Sequence, residues 1–331
     1  MRRLSLSAIR ELSEQVLLAN GLAEPAARSI ADVVTRAEAD ACRSHGLYRI
    51  PGYVAGLRSG RVDGQAVPRL EPLRPGLLRV DGARGFAPPA TDAGREALVA
   101  ATRSNGIAAM AVVRAHHFSA LWADLEPIVA LGLVCWCFVV GQSSVAPHGG
   151  TRRLMGTNPI AFGWPRSGRA PFIFDFATSA AARGEVELKR LAGQDLPSGW
   201  AIDPHGLPTN DPAQALAGAL LPFGGHKGSA LSMMVELIAG PLIGEMTSRQ
   251  VQDLKIADGG PPPGGQLFIA FDPSGVTSSA GLIAETFFGD ALAQPGVRLP
   301  STRRHEARRR SATEGVEVDN HIYETICALM L

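Results

Sequence analysis

An excess of charge of either sign is missing from this sequence. The 32 Lys and Arg stand against 31 Asp and Glu, a formal net charge of +1 over 331 residues. No global field therefore recruits a polyanion or an anionic membrane surface. The one basic run, "RLPSTRRHEARRR" from Arg298, lacks interleaved aromatics that would stack on bases, so nucleic acid is not an expected partner. It reads either as a solvated surface bordering a helix or as a place where one or two arginines hold phosphate. Long apolar runs are missing too. The longest, "IVALGLVCWCFVVG", is broken by glycine and too short to span a bilayer, so no membrane association is expected. Cysteine is scarce: Cys42, Cys135, Cys137 and Cys327, with no CxxC and no ligand spacing to histidine. No metal site is expected, and the thiols read as buried and reduced in a cytoplasmic protein.

The motif inventory is equally sparse. No strand runs into GxGxxG and a helix; "GARGFAPPA" and "PHGGTRRLMG" have the wrong glycine spacing for the usual dinucleotide fold. HExxH, GxSxG and a Walker loop are absent, so metalloprotease, hydrolase-elbow and phosphate-loop readings have no support.

What is present is an ordinary globular composition, 46% hydrophobic and 19% charged, at a length that suggests two domains. The start, "MRRLSLSAIRELSEQVLLANG", opens on two arginines, but Glu11 and Glu14 interrupt any export-type core and the pattern is that of an amphipathic helix. Residues 5–60 read as helices, and 56–76 as a loop-rich connection. Strands are expected in "LLRVDGA", "IAAMAVVRA", "LVCWCFVVG", "PIAFGWP", "PFIFDFATS" and "GQLFIAFDPSGV". In the third of these Cys135 and Cys137 would share a face. Helices are expected in "PPATDAGREALVAATRSNG", "SALWADLEPIVALG" and "KGSALSMMVELIAGPLIG", the last apolar nearly all round and so read as buried. The tail "EGVEVDNHIYETICALML" reads as helical. The expected fold is α/β (α+β) and non-Rossmann. A mixed-sheet domain, 78–289, is enclosed by a helical domain built from both chain ends, 1–77 and 290–331.

Four segments concentrate polar groups between apolar ones. In "RSHGLYRIPGYVAG" Ser44 reads as the N-cap of a helix that sets His45 and Arg49 side by side, one turn apart. That is either a cap with a surface histidine, or an arginine fork for a small carboxylate beside a near-neutral proton donor. "AHHFSALW" brings paired histidines to a helix start, either as a capping turn or to receive phosphate. "GTNPIAF" sets Thr157 and Asn158 before a strand, as a turn or as a binding element. "PFGGHKGSALSMMVELIAG" puts two glycines and His226-Lys227 at a helix N-terminus, a tight approach suited to an anion.

Together these segments resemble the type 2 malate/L-lactate dehydrogenase-like oxidoreductases. The similarity runs in order through "SHGLYRIPGYVAGLRSGRV", "HHFSALWADLEP", "PHGGTRRLMGTNPIAFGWPR", "FDFATSAAARGEV", "LPSGWAIDPHGLPTNDP", "LLPFGGHKGSALSMMVELIAGPL" and "RLPSTRR". Within that family, "HHFSALW" and "LLPFGGHKGSALSMMVEL" look like the Δ1-piperideine-2-carboxylate/Δ1-pyrroline-2-carboxylate reductases. These reduce cyclic ketimine acids to L-pipecolate and L-proline with NADPH.

The resemblance implies a homodimer with a non-Rossmann cofactor domain, and it implies roles for residues. His45 would be the proton donor and Ser44 its relay partner. Glu185 of "ARGEV" would stand at a second relay position where the family has aspartate, one methylene longer. Arg49 would bind the substrate carboxylate, with Thr157 also on the substrate. The cofactor would be NADPH, with NADH as the alternative. It would touch His117, Phe118, Ser119, Ala120 and Leu121; Asp175, Phe176 and Ala177; His226 and Lys227; and Arg298, Leu299, Pro300, Ser301, Thr302, Arg303 and Arg304. The segment 245–272 lacks the family's aromatic-rich insert, which would change the pocket rim. The expected partner is a small cyclic imino acid, reduced at C=N. The competing expectation is an NAD-dependent 2-hydroxy-acid dehydrogenase for malate, lactate or ureidoglycolate, since the same His/Arg pair serves a C–OH/C=O couple. A non-catalytic metabolite binder is the third, disfavoured because both His and Arg are present.

Overall fold

The structure is a computed structural model, and it describes residues 1–118 and 120–330. Its centre is a seven-stranded mixed sheet in the order Arg69–Arg74, Leu77–Asp81, Ile107–His116, Pro263–Phe271, Val134–Val139, Ile160–Trp164, Phe172–Phe176. Within this sheet the Leu77–Asp81 and Ile107–His116 pair is parallel; the other pairings are antiparallel. The late strand Pro263–Phe271 inserts between two early ones, so the sheet closes only when the last third of the chain returns. Its fully buried Phe268 anchors one face, together with Met110, Leu98, Leu125, Cys135 and Cys137 beneath helices Ala87–Asn105 and Leu121–Ala130. The two cysteines share that face, as their spacing implies. Helix His226–Ala239 covers the other face through Val235 and Ala239.

The chain ends meet in a helical layer. Arg2–Leu4 pairs antiparallel with Val316–Val318. Helix Leu6–Ala19 starts on Ser5, whose hydroxyl accepts Ala8 N–H at 3.1 Å, and it stops where Gly21 takes φ +84°. Its Ile9, Val16 and Leu17 pack with Ile30 and Val34 of Glu24–Ala39 and with Ile326 near the C-terminus. The 3.6-residue spacing of these apolar positions is why the N-terminal helices were legible.

Three expectations are corrected. The 56–76 connection contains the edge strand Arg69–Arg74, which is exposed on every residue and so shows no apolar alternation. The tail begins with the short strand Val316–Val318 before helix Asn320–Ala328. Helix His226–Ala239 is not buried all round: Met233, Met234 and Leu237 face outward, Leu237 at 63% exposure. Among the described residues no helix is long and apolar enough to cross a membrane.

Candidate active site

The segment after helix Glu24–Ala39 forms two 3-10 turns, Arg43–His45 and Leu47–Arg49, and the α-helix proper runs Ile50–Arg58. The expectation of a helix capped by Ser44 is therefore corrected. Pro51 lacks the N–H that would carry a helix back through Leu47, and it sits in the first turn, where that costs nothing. The Ser44 hydroxyl lies instead 3.0 Å from His45 Nδ1, which leaves Nε2 as the ring's free edge. Arg49 folds back to donate Nε–H to the Ser44 carbonyl at 2.7 Å. His45 and Arg49 are thus joined by a compact turn rather than by helical spacing.

The Arg49 guanidinium is flanked by Phe118 at 4.6 Å and Tyr48 at 5.3 Å from the ring centroids. Among the described residues no carboxylate lies within ion-pair distance of it. A half-buried guanidinium without a counter-anion is a receptor for one. Burial first, and the Arg49 charge second, push His45 from 6.5 down to about 3. The near-neutral titration expected of His45 is corrected accordingly: the ring is neutral across the physiological range. Gly184, at the start of helix Arg183–Leu191, closes the back of this turn, since a Cβ there would stand 2.8 Å from Arg49 Nη2. Its neighbour Glu185 is exposed, and no hydrogen bond joins it to Ser44 or His45 among the described residues.

Thr157 sits on a braced loop. Its carbonyl accepts Thr178 N–H at 2.8 Å and the Thr178 hydroxyl at 3.1 Å. Asn158, at φ +41°, donates to Ser232 O at 3.1 Å and to Glu236 Oε1 at 2.9 Å. Glu236 also accepts Gly156 N–H and, through Oε2, Ser248 N–H at 2.9 Å. Sequence reasoning missed Glu236; the signal was a lone acid inside the apolar run "SMMVELIAG".

The remaining candidates fall into three groups. His117 is buried and neutral, pushed to about 3 by burial, and both of its ring nitrogens lack a hydrogen-bond partner among the described residues. The Gly264 backbone opposes this shift from within the chain. Phe118 packs beside Gly52, and Ala120 and Leu121 are buried at the helix start. Ser119 lies outside the described residues. Asp175 accepts Trp122 N–H at 3.1 Å, so this helix start is already bonded internally rather than open to phosphate.

In the second group, Phe176 stacks on Phe174 at 4.8 Å and is exposed, with Ala177 half-buried after it. Ser301, at φ +73°, bonds the Ile173 backbone, and Arg304 donates to Ile173 O and Ser301 Oγ, both at 2.9 Å. Thr302 caps back onto the Leu299 carbonyl at 2.8 Å. Arg298, Pro300 and Arg303 are exposed. The basic run is therefore divided: Arg304 is tied down, and Arg308 pairs with Asp40 and Glu126.

In the third group, His226 and Lys227 are exposed at the start of helix His226–Ala239, behind Gly224 and Gly225, both in the left-handed region. No hydrogen bond or ring contact joins them to the His45–Arg49 turn among the described residues. His148, which sequence reasoning missed inside "PHGG", lies 6.1 Å from His226.

This pairing of a neutral imidazole with an unpartnered guanidinium sits on a fold with recognisable relatives. The chain belongs to the malate/L-lactate dehydrogenase family, whose pattern matches residues 4–327. It is 59% identical to the Δ1-pyrroline-2-carboxylate reductase of Ancylobacter novellus over 331 residues, covering 99% of this chain and 97% of that one. It is 46% identical to a Δ1-pyrroline-2-carboxylate/Δ1-piperideine-2-carboxylate reductase of Pseudomonas aeruginosa, across 100% of both chains. The crystal structure of Δ1-piperideine-2-carboxylate reductase from Pseudomonas syringae pvar. tomato superposes with a TM-score of 0.92 at 40% identity, covering 99% of this chain and 100% of that one.

Proposed function

We propose that this protein is an oxidoreductase that reduces cyclic ketimine acids, Δ1-pyrroline-2-carboxylate and Δ1-piperideine-2-carboxylate, to L-proline and L-pipecolate. The observation that carries the reading is the Arg49 guanidinium, lacking a carboxylate partner among the described residues and set one turn from His45. The imine as the acceptor, rather than a ketone, is favoured by the 59% and 46% identity to proteins named as such reductases.

In this reading Arg49 takes the substrate carboxylate through its fork and thereby fixes the ring's orientation. Thr157, held by its braced loop, adds a second contact. Bound reduced nicotinamide supplies the hydride. In this reading His45 presents Nε2 to the imine nitrogen and delivers the proton there as hydride reaches C2, while the substrate carboxylate offsets the Arg49 charge that disfavours imidazolium. Ser44 fixes the ring's other nitrogen, and Glu185 takes the second relay role that the family resemblance implies.

The cofactor is NADPH, with NADH the alternative. His117, Phe118, Asp175 and the Arg298–Arg304 segment would hold it, with His226 and Lys227 at a second helix start. The two-domain division, 1–77 with 290–331 and 78–289, assigns substrate and dimer contacts to the first unit and cofactor contacts to the second. A homodimer is supported by the outward apolar stripe of Met233, Met234 and Leu237, together with exposed Ile283 and Phe287. The four free thiols fit a reducing cytoplasm.

The test is an initial-rate comparison of Δ1-pyrroline-2-carboxylate and Δ1-piperideine-2-carboxylate with pyruvate and oxaloacetate, each with NADPH and NADH. The cyclic imines are expected to be preferred. A higher kcat/KM for an oxo acid would overturn the proposal in favour of a 2-hydroxy-acid dehydrogenase.

A further inference from the structure

We infer that Glu38 is a positioning residue for the reaction: its buried carboxylate sets the backbone turn that carries His45 and Arg49. The inference rests on the proposed role of those two side chains.

Glu38 is only 5% exposed and lies in the last turn of helix Glu24–Ala39, the end where the helix dipole disfavours negative charge. No cation lies within ion-pair distance of it among the described residues. Burial raises its pKa, and the charge of Arg43 only partly offsets that effect. A carboxylate in this place is expensive for folding, and an apolar side chain would fill it at lower cost. Its one hydrogen bond among the described residues explains its presence. Oε1 accepts the Leu47 N–H at 2.8 Å. Leu47 stands midway between His45 and Arg49, so one bond grips the centre of the turn.

Gly46 gives an independent sign of the same fit. Its φ of −89° lies outside the left-handed region. A Cβ at this position, however, would overlap Oε1, Cδ and Cγ of Glu38. Carboxylate and glycine interlock, and the imidazole and guanidinium are hung on either side of that joint. If the grip is lost, the two groups drift relative to each other, while the cofactor segments, held elsewhere, stay in place.

The experiment uses the full chain with Glu38→Ala, Glu38→Gln, Gly46→Ala and the double variant Glu38→Ala/Gly46→Ala. It reads kcat and KM for Δ1-pyrroline-2-carboxylate, NADPH Kd and Tm. Glu38→Ala should lose roughly tenfold to a hundredfold in kcat/KM, the range for a broken charged hydrogen bond and a displaced reacting group, with NADPH Kd unchanged. Glu38→Gln keeps a carbonyl acceptor for Leu47 N–H and should restore most of the loss. Gly46→Ala should reproduce the loss. The double variant should be no worse than the poorer single one, because the shortened side chain at position 38 gives the new methyl group room.

Wild-type kcat/KM in Glu38→Ala would overturn the inference. So would losses in Ala and Gln variants that merely follow Tm, or independent, additive losses in the double variant. If Glu38→Ala does not fold, Glu38→Gln and Gly46→Ala decide: full activity in Gly46→Ala then overturns the inference. Loss of turnover in His45→Ala together with full activity in Glu38→Ala would remove Glu38 alone. Near-normal turnover in His45→Ala would remove the reading of the site itself.

Discussion

In the proposed mechanism Arg49 supplies charge and His45 the proton, and each should fail in its own parameter. Arg49→Lys keeps a positive charge but loses the fork and its contact with Phe118 and Tyr48. Its KM for the cyclic imine should rise roughly tenfold to a hundredfold, with a smaller change in kcat. Gly184→Ala is a finer probe. The added methyl meets only the far end of Arg49, so Tm should hold while KM rises several-fold. A fall in Tm with KM unchanged would show that Gly184 serves packing only. His45 gives a protonic signature. Its pKa of about 3 reflects burial and then the Arg49 charge. The free enzyme's His45 therefore contributes no ionisation to kcat/KM between pH 6 and 8, and a pH–rate profile showing one that His45→Asn removes would contradict this.

Elements carry the stability. Phe268, fully buried on the central strand Pro263–Phe271, should cost about 3–5 kcal/mol when cut to alanine, measured by urea unfolding. Burial depresses the pKa of three histidines, His45 and His117 to about 3 and His116 to about 4. Between pH 6.5 and 4 the unfolded chain binds more protons than the fold at these positions, so stability must drop as pH falls through that window. Asp124, on helix Leu121–Ala130 and bonded to Gln266, is raised to about 7 by burial. Its contribution has the opposite sign: it is full below pH 3.8 and lost as pH rises through 7. Glu38 and Asp175, raised by burial, act in the same sense as Asp124, whereas Asp258, held at about 2 by Arg61, adds to the loss at low pH. The histidine contribution is therefore read as the difference between wild type and variant. His117→Asn should make that acid decline shallower, and an unchanged slope would contradict the assignment.

The same scale shows what was legible. Helix Leu6–Ala19 announced itself because its apolar spacing matches one buried face, and the strand around Cys135 because burial on both faces makes it one apolar run. The edge strand Arg69–Arg74 was hidden because neither of its faces is buried. The turn at Ser44–Arg49 was misread because local cap chemistry favours a helix there, whereas the competing bond comes from Glu38, which sequence spacing does not point to. Glu236 was missed for a related reason: its partners Gly156, Asn158 and Ser248 come together only in the folded chain. The residue types of the candidate site could be read from the chain, but the supports beneath them could not.

At the scale of the whole molecule, the proposed dimer draws its support from the outward apolar residues of helices His226–Ala239 and Ala280–Leu292. Sedimentation equilibrium should report a dimer, and Leu237→Glu or Phe287→Glu should weaken it; a wild-type monomer at micromolar concentration would contradict the proposed assembly. The most direct test of the account lies in His45→Ala assayed on Δ1-pyrroline-2-carboxylate with NADPH. Turnover should fall by at least about a hundredfold, the lower range for loss of a general acid, while NADPH Kd stays at the wild-type value. Turnover close to wild type would contradict the account.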